Sequence, residues 1–109
     1  MNTKLPEALE RYFRAVNEQD LDGMLAAFAE DAVVKDEGKT RRGQKAVREW
    51  IEEVTEKYHP KFELADVVDE GAGATVVTGL VSGTFPGSPV RLRYAFKIDA
   101  GKINRLEIG

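Results

Sequence analysis

The sequence predicts an α+β fold in which a curved, mostly antiparallel sheet wraps around three N-terminal helices. Three observations carry this prediction. Apolar residues recur at helical spacing up to His59, the period switches to two after Pro60, and turn-forming clusters separate the later apolar runs. A meander of strands with one apolar face needs a cover, and the helices each offer an apolar stripe to provide it.

Pro6 suits a helix start, where its missing N–H is not needed. Leu9, Tyr12, Phe13 and Val16 then mark an amphipathic helix from about Leu5 to Glu18. Asp20 is the predicted N-cap of a second, short helix, with Asp22 in its first turn, favourable to the helix dipole. Leu21, Met24, Leu25 and Phe28 give that helix its stripe, and it is predicted to end near Asp31. A strand over Ala32–Asp36 and a polar turn over Glu37–Gly43 follow. Ala46, Val47, Trp50, Ile51, Val54 and Tyr58 form the strongest helical pattern, which Pro60 ends by disfavouring helical backbone at His59.

Beyond Pro60, Phe62 and Leu64 alternate with Lys61 and Glu63. Asp69–Gly73 is a turn, and Thr75–Gly83 is a strand with bends or close contacts at Gly79 and Gly83. Phe85–Pro89 is a second turn. Val90, Leu92, Tyr94, Phe96 and Ile98 then define the clearest strand, and Asp99–Lys102 turns the chain into Ile103–Ile108. On that last strand Asn104, Leu106 and Ile108 are expected to share one face.

A chain of 109 residues suits one domain, and no repeat, linker or low-complexity tract divides it. With 42% hydrophobic and 32% charged residues it has the composition of a soluble globular protein. A net charge of −3 with interspersed signs argues against nucleic-acid binding, which calls for a basic stripe. The absence of cysteine excludes disulfides, thiolate metal sites and a cysteine nucleophile. His59 is the single histidine, so no histidine cluster exists for zinc, and its place beside Pro60 fits a helix C-cap better than catalysis. No run is long and apolar enough for a signal peptide or a membrane span, which makes the cytoplasm the expected compartment.

The residue that asks for chemistry is Asp36. Strand alternation puts it on the same face as Ala32 and Val34, towards apolar surroundings. A buried carboxylate is costly unless it is paired, hydrogen-bonded or protonated. Two readings stand side by side: a general base with a raised pKa, or a strand-end acid that caps the Glu37–Gly43 turn or pairs with Arg41 or Arg93. Tyr12 is the first candidate partner for a buried Asp36. By itself a tyrosine such as Tyr12 is more often a core aromatic with a satisfied hydroxyl, and its catalytic claim depends on facing Asp36.

The stretches Arg11–Met24, Phe28–Asp36 and Gly43–Trp50 resemble the nuclear transport factor 2-like superfamily, and within it the SnoaL-like proteins and the ketosteroid isomerases. The order of helices and strands agrees over the whole chain. The resemblance implies a cone-shaped domain with an internal pocket between sheet and helices, and a homodimer formed through the outer sheet face. In the isomerase branch an acid at the position of Asp36 moves a proton, and a tyrosine at the position of Tyr12 stabilises the enolate oxygen. That branch also carries a neutral carboxylic acid on the penultimate strand. Here the position falls on Tyr94 if the following turn is one residue shorter, and on Arg93 otherwise; neither is an acid. The limonene epoxide hydrolase branch needs a second aspartate that has no counterpart here.

The candidate catalytic residues are therefore Asp36 and Tyr12. Tyr94, Val16, Phe28, Val34, Trp50, Phe62, Phe85, Phe96 and Leu106 are the candidate pocket lining. The expected function is cofactor-independent proton transfer on a small apolar carbonyl compound, in the manner of an isomerase or polyketide cyclase. The alternative is a non-catalytic domain of the same fold that binds a small molecule or dimerises. Neither reading involves a metal, nucleic acid or membrane.

Overall fold

The computed structural model describes residues 5–109. Helix α1 spans Glu7–Glu18, α2 spans Leu21–Ala26, and α3 spans Gln44–Tyr58. Six strands build one sheet: β1 (Phe28–Asp36), β2 (Lys39–Arg42), β3 (Lys61–Gly71), β4 (Ala74–Ser82), β5 (Val90–Asp99) and β6 (Lys102–Ile108). Their spatial order is β2-β1-β6-β5-β4-β3, and among the described residues the one parallel pair is β1 with β6. The fold is the predicted α+β arrangement of three helices against a curved, mostly antiparallel sheet. Among the described residues no helix is long and apolar enough to cross a membrane.

The early chain departs from the prediction in two places. The second helix stops at Ala26 instead of continuing towards Asp31, and Phe28 opens β1 instead of completing a helical stripe. The four-residue step from Met24 to Phe28 fits a helix, but Phe28 pairs with Ile103, whose N–H donates to the Ala27 carbonyl at 2.9 Å. Tertiary pairing overrides the local pattern here. The second departure is β2, which lies inside the segment read as a turn. Glu37 and Gly38 both adopt positive φ (53° and 75°), the geometry of a two-residue hairpin turn, and Lys39–Arg42 folds back antiparallel on β1. Its all-polar sequence gives no alternation to read.

Other local expectations hold. The Asp20 side chain accepts from the Gly23 N–H at 3.0 Å, and His59 caps α3 in left-handed backbone geometry. On β6 the expected alternation breaks: Asn104 is skipped in the pairing with β5, and this bulge turns Ile103 inward beside Leu106. Both are fully buried, whereas Asn104 is not.

One apolar core joins all three helices to the concave sheet face, built around Leu9, Phe13, Ile51, Val77, Ile103 and Leu106. The end of α1 is fastened to the start of β3 by Asn17, which donates to the Phe62 carbonyl at 3.1 Å and accepts from the Phe62 N–H at 2.6 Å. Lys61 reaches back to the Asn17 carbonyl, and Gln19 donates to the Pro60 carbonyl at 2.9 Å. These bonds fix where α1 lies over the sheet. Phe13 then stacks on Phe62 with ring centroids 3.8 Å apart.

Phe62 finds room because its ring lies over Gly79, two residues along β4 from its ladder partner Val81. A Cβ at Gly79 would lie 2.4 Å from the Phe62 ring and 2.7 Å from the Glu63 carbonyl oxygen. Gly83 is equally constrained, its Cβ position being 2.2 Å from the Tyr58 carbonyl oxygen. Gly79→Ala is therefore expected to destabilise the fold by about 1–3 kcal/mol through overpacking. Urea unfolding checks this, and an unchanged midpoint would contradict the close approach.

Candidate functional site

The sheet curves away from the helices at the end of the domain where β1 finishes, and a cavity of about 440 Å³ opens there. Tyr12 and Val16 of α1 form one wall, with Trp50, Val54 and Tyr58 of α3 beside them. Phe62, Val81, Val90, Leu92 and Tyr94 line the sheet side, while Phe85 borders it from the β4–β5 connection. Asp36, Glu37 and Ile108 complete it where β1 and β6 end.

Asp36 is half-buried, and its Oδ2 accepts a hydrogen bond from Trp50 Nε1 at 3.0 Å. This partner differs from the expected Tyr12, and no Asp36–Tyr12 hydrogen bond occurs. Neither arginine proposed as a structural partner takes that place. Arg41 donates to both carboxylate oxygens of Glu53, at 3.0 and 3.3 Å, and Arg93 is exposed on the other side of β5. Removal from water raises the pKa of Asp36 above its ordinary 3.8; the Trp50 hydrogen bond opposes the rise, the neighbouring Glu37 charge adds to it, and a hydrogen bond from the Glu37 backbone at the turn and the Arg41 charge oppose it further.

Tyr12 and Tyr94 are both buried, and both line the cavity. Tyr94, not Arg93, is thus the β5 residue turned to the inside. Burial raises the pKa of each phenol, and the nearby Asp36 carboxylate pushes both further in the same direction. Both hydroxyls therefore stay protonated at neutral pH and remain hydrogen-bond donors. Neither has a hydrogen-bond partner among the described residues. Their rings are held edge-on and stacked by aromatic neighbours: Tyr12 against Phe28 (5.5 Å) and Phe96 (6.1 Å), Tyr94 parallel to Phe96 (6.0 Å). The result is the Asp36 carboxylate and two fixed, unpartnered phenolic donors facing a mostly apolar hollow, with the Tyr58–Glu37 pair at its rim.

Of the candidate lining residues, Tyr94, Val16, Trp50, Phe62 and Phe85 reach the cavity wall. Phe28, Val34, Phe96 and Leu106 do not; they lie in the packed core. The reason is the taper of the fold. Val34 and Leu106 pair directly across β1 and β6 and are fully buried, and the Tyr12 ring, packed on Phe28 and Phe96, closes the narrow end. Sequence reasoning missed Leu92, Ile108, Val54 and Tyr58 as lining. The first two share the inward side of their strands with Tyr94 and Leu106, which was the available signal. Glu37 was hidden by its position in a turn; its carboxylate accepts from the Tyr58 hydroxyl at 2.8 Å across the cavity rim.

The chain matches the SnoaL-like domain family over residues 9–106. Among solved structures it is similar to a Sinorhizobium meliloti protein named a "putative polyketide cyclase", with 39% identity and a TM-score of 0.91 over 96% of this chain and 95% of that one. A Xanthomonas campestris protein of the same printed name shares 22% identity and a TM-score of 0.77, covering 93% of this chain and 85% of that one. A Catenulispora acidiphila protein described as having a ketosteroid isomerase-like fold, solved with trimethylamine, shares 14% identity and a TM-score of 0.84 over 97% and 86% of the two chains. The last two likenesses speak for the fold alone.

Because Asp36 binds its proton more tightly in the folded protein than in the unfolded chain, it subtracts stability as pH rises from 3.8 through its raised pKa, and the deficit persists above that. Asp36→Asn is therefore expected to melt at a higher temperature than the parent at pH 7, with the gap closing below pH 3.8. Paired thermal melts at the two pH values check this. A variant less stable at pH 7 would mean that the charged carboxylate is well satisfied.

Proposed function

Since the chain belongs to the SnoaL-like domain family, we propose that its cavity takes up a small apolar carbonyl compound and transfers a proton on it without a cofactor. The observation that carries this reading is the convergence of the Asp36 carboxylate with the two unpartnered phenols of Tyr12 and Tyr94 on an apolar wall. The cavity volume of about 440 Å³ falls within the range of about 300–1,000 Å³ usual for small-molecule sites. Apolar walls with a few convergent polar groups suit a ligand that is itself mostly hydrocarbon.

In this mechanism the Asp36 carboxylate removes a proton from the carbon α to the carbonyl. The C–H electron pair moves into a C=C bond, and the carbonyl π pair moves onto oxygen. The Tyr12 and Tyr94 hydroxyls donate hydrogen bonds to that oxygen, where charge develops. Asp36, now protonated, returns the proton to a different carbon in an isomerisation. In a cyclisation the enolate carbon instead attacks a second carbonyl of the same molecule, and the proton ends on the new alkoxide. A raised pKa brings the base closer to the operating pH and strengthens its pull on a carbon acid. Tyr94, which matches the neutral carboxylic acid of the isomerase branch when the following turn is taken as one residue shorter, lines the cavity, so the oxyanion site in this reading is a pair of phenols.

A non-catalytic binding domain is the second reading, and one observation favours it: Trp50 already gives Asp36 a hydrogen-bond partner. The two separate on an enolisable probe. Deuterium exchange at the α-carbon of 2-tetralone in D₂O, followed by NMR, is expected to be accelerated by the protein. Asp36→Asn is expected to lower that rate by about 10²–10⁴-fold, and Tyr12→Phe by about 10²-fold. Exchange at the buffer rate, or a rate untouched by Asp36→Asn, favours the binding domain.

The assembly proposed with this function is a homodimer through the convex sheet face. Pairing places Val68, Val76 and Ala95 in one row across β3, β4 and β5 on that face, with Leu80 nearby; Val68 is 46% and Leu80 37% exposed. An apolar row bordered by Glu63, Arg91, Arg93 and Lys97 has the make-up of an interface with a charged rim. Sedimentation velocity is expected to show a dimer that Val68→Asp converts to monomer. A monomer at every concentration contradicts the assembly.

A further inference from the structure

We propose that Trp50 is the positioning residue for Asp36: its indole N–H holds Oδ2 and fixes the carboxylate beside the cavity, where it meets the reacting molecule. The catalytic consequence rests on the proton-transfer reading above, but the coupling between the two side chains does not.

The geometry behind this is specific. Trp50 is 4% exposed, and its ring meets Phe28 edge-on at 6.4 Å, so the indole cannot swing freely. Its helix lies against β1, which carries Asp36 as its final residue. The 3.0 Å bond therefore joins two rigid elements and fixes the carboxylate rotamer at the strand end, where a side chain would otherwise turn.

The chemistry of the partner matters as much as its place. Indole offers one neutral donor and does not ionise at accessible pH. An arginine in the same spot would hold the carboxylate through a charge and cost it its basicity. Cations lie near Asp36, but none is hydrogen-bonded to it among the described residues. Arg41 of β2, whose charge opposes the rise of the Asp36 pKa, is engaged with Glu53, while Lys35 and Arg93 share an outer groove with the end of β1, with Glu107 between them. On the inner side the titratable groups around Asp36 are Tyr12, Tyr94 and Glu37, none of which carries positive charge. Trp50 thus steadies the carboxylate without neutralising it.

Trp50 is also the only tryptophan, so emission from the whole protein reports on this one hydrogen bond. Trp50 fluorescence in the parent is expected to change with pH as Asp36 gains its proton, and Asp36→Asn is expected to abolish that transition. In Trp50→Phe, carbon-13 NMR of the Asp36 carboxyl is expected to show a midpoint raised by roughly one pH unit, the loss of a hydrogen bond to a charged group. The acidic limb of the 2-tetralone rate profile should move by the same amount. An emission transition that survives in Asp36→Asn, one absent from the parent, or an unmoved midpoint in Trp50→Phe overturns the proposal. Should Trp50→Phe fail to fold, the emission comparison decides alone. Loss of exchange in Asp36→Asn with an unmoved midpoint in Trp50→Phe would leave the base standing and remove Trp50's role. A moved midpoint without any exchange would confirm the coupling and end the enzymatic reading.

Discussion

The structure turns on a carboxylate placed where water is scarce. Asp36 ends β1 on the side of the strand that carries Ala32 and Val34, so the same alternation that builds the core delivers a charge to its edge. An unpartnered charge would be expelled or neutralised there. Three features make the position tenable: the Trp50 donor, the open cavity on one side, and a partial outlet to solvent at the end of the strand. The carboxyl is held with its proton affinity raised yet still able to ionise, which is the condition a general base requires.

The remainder of the domain keeps that arrangement in place. Asn17 and Gln19 tie α1 to the start of β3, which sets Tyr12 over the sheet. The Asn104 bulge turns Ile103 into the core, so β6 fills the narrow end of the cone while Ile108 reaches the cavity at the wide end. Gly79 lets Phe62 lie flat against β4, and Phe62 in turn supports Phe13 and Tyr94. Filling of the narrow end and emptiness at the wide end follow from one taper. This taper explains why the phenols of Tyr12 and Tyr94 end in space while their rings are clamped.

Much of this was legible in the residues. Helical periodicity located α1 and α3, alternation located β5, and the inward direction of Asp36 followed from its two-residue step past Val34. The parts that were not legible have physical causes. Lys39–Arg42 is a strand because β1 needs a partner, not because its own pattern says so. Phe28 satisfies helical and strand spacing equally, and only the pairing with Ile103 decides. The Asp36–Trp50 bond joins residues fourteen apart across a helix–strand packing that no local pattern encodes. Phe28, Val34, Phe96 and Leu106 carried the right apolar character for a lining, but how far a cone is filled depends on side-chain packing in three dimensions.

Carbon-13 NMR titration of the Asp36 carboxyl in the unmodified protein tests the central claim most directly. A midpoint clearly above 3.8 is the result this account requires. A midpoint at or below that value would show a carboxylate satisfied by its surroundings, and the hollow beside it would then hold no base.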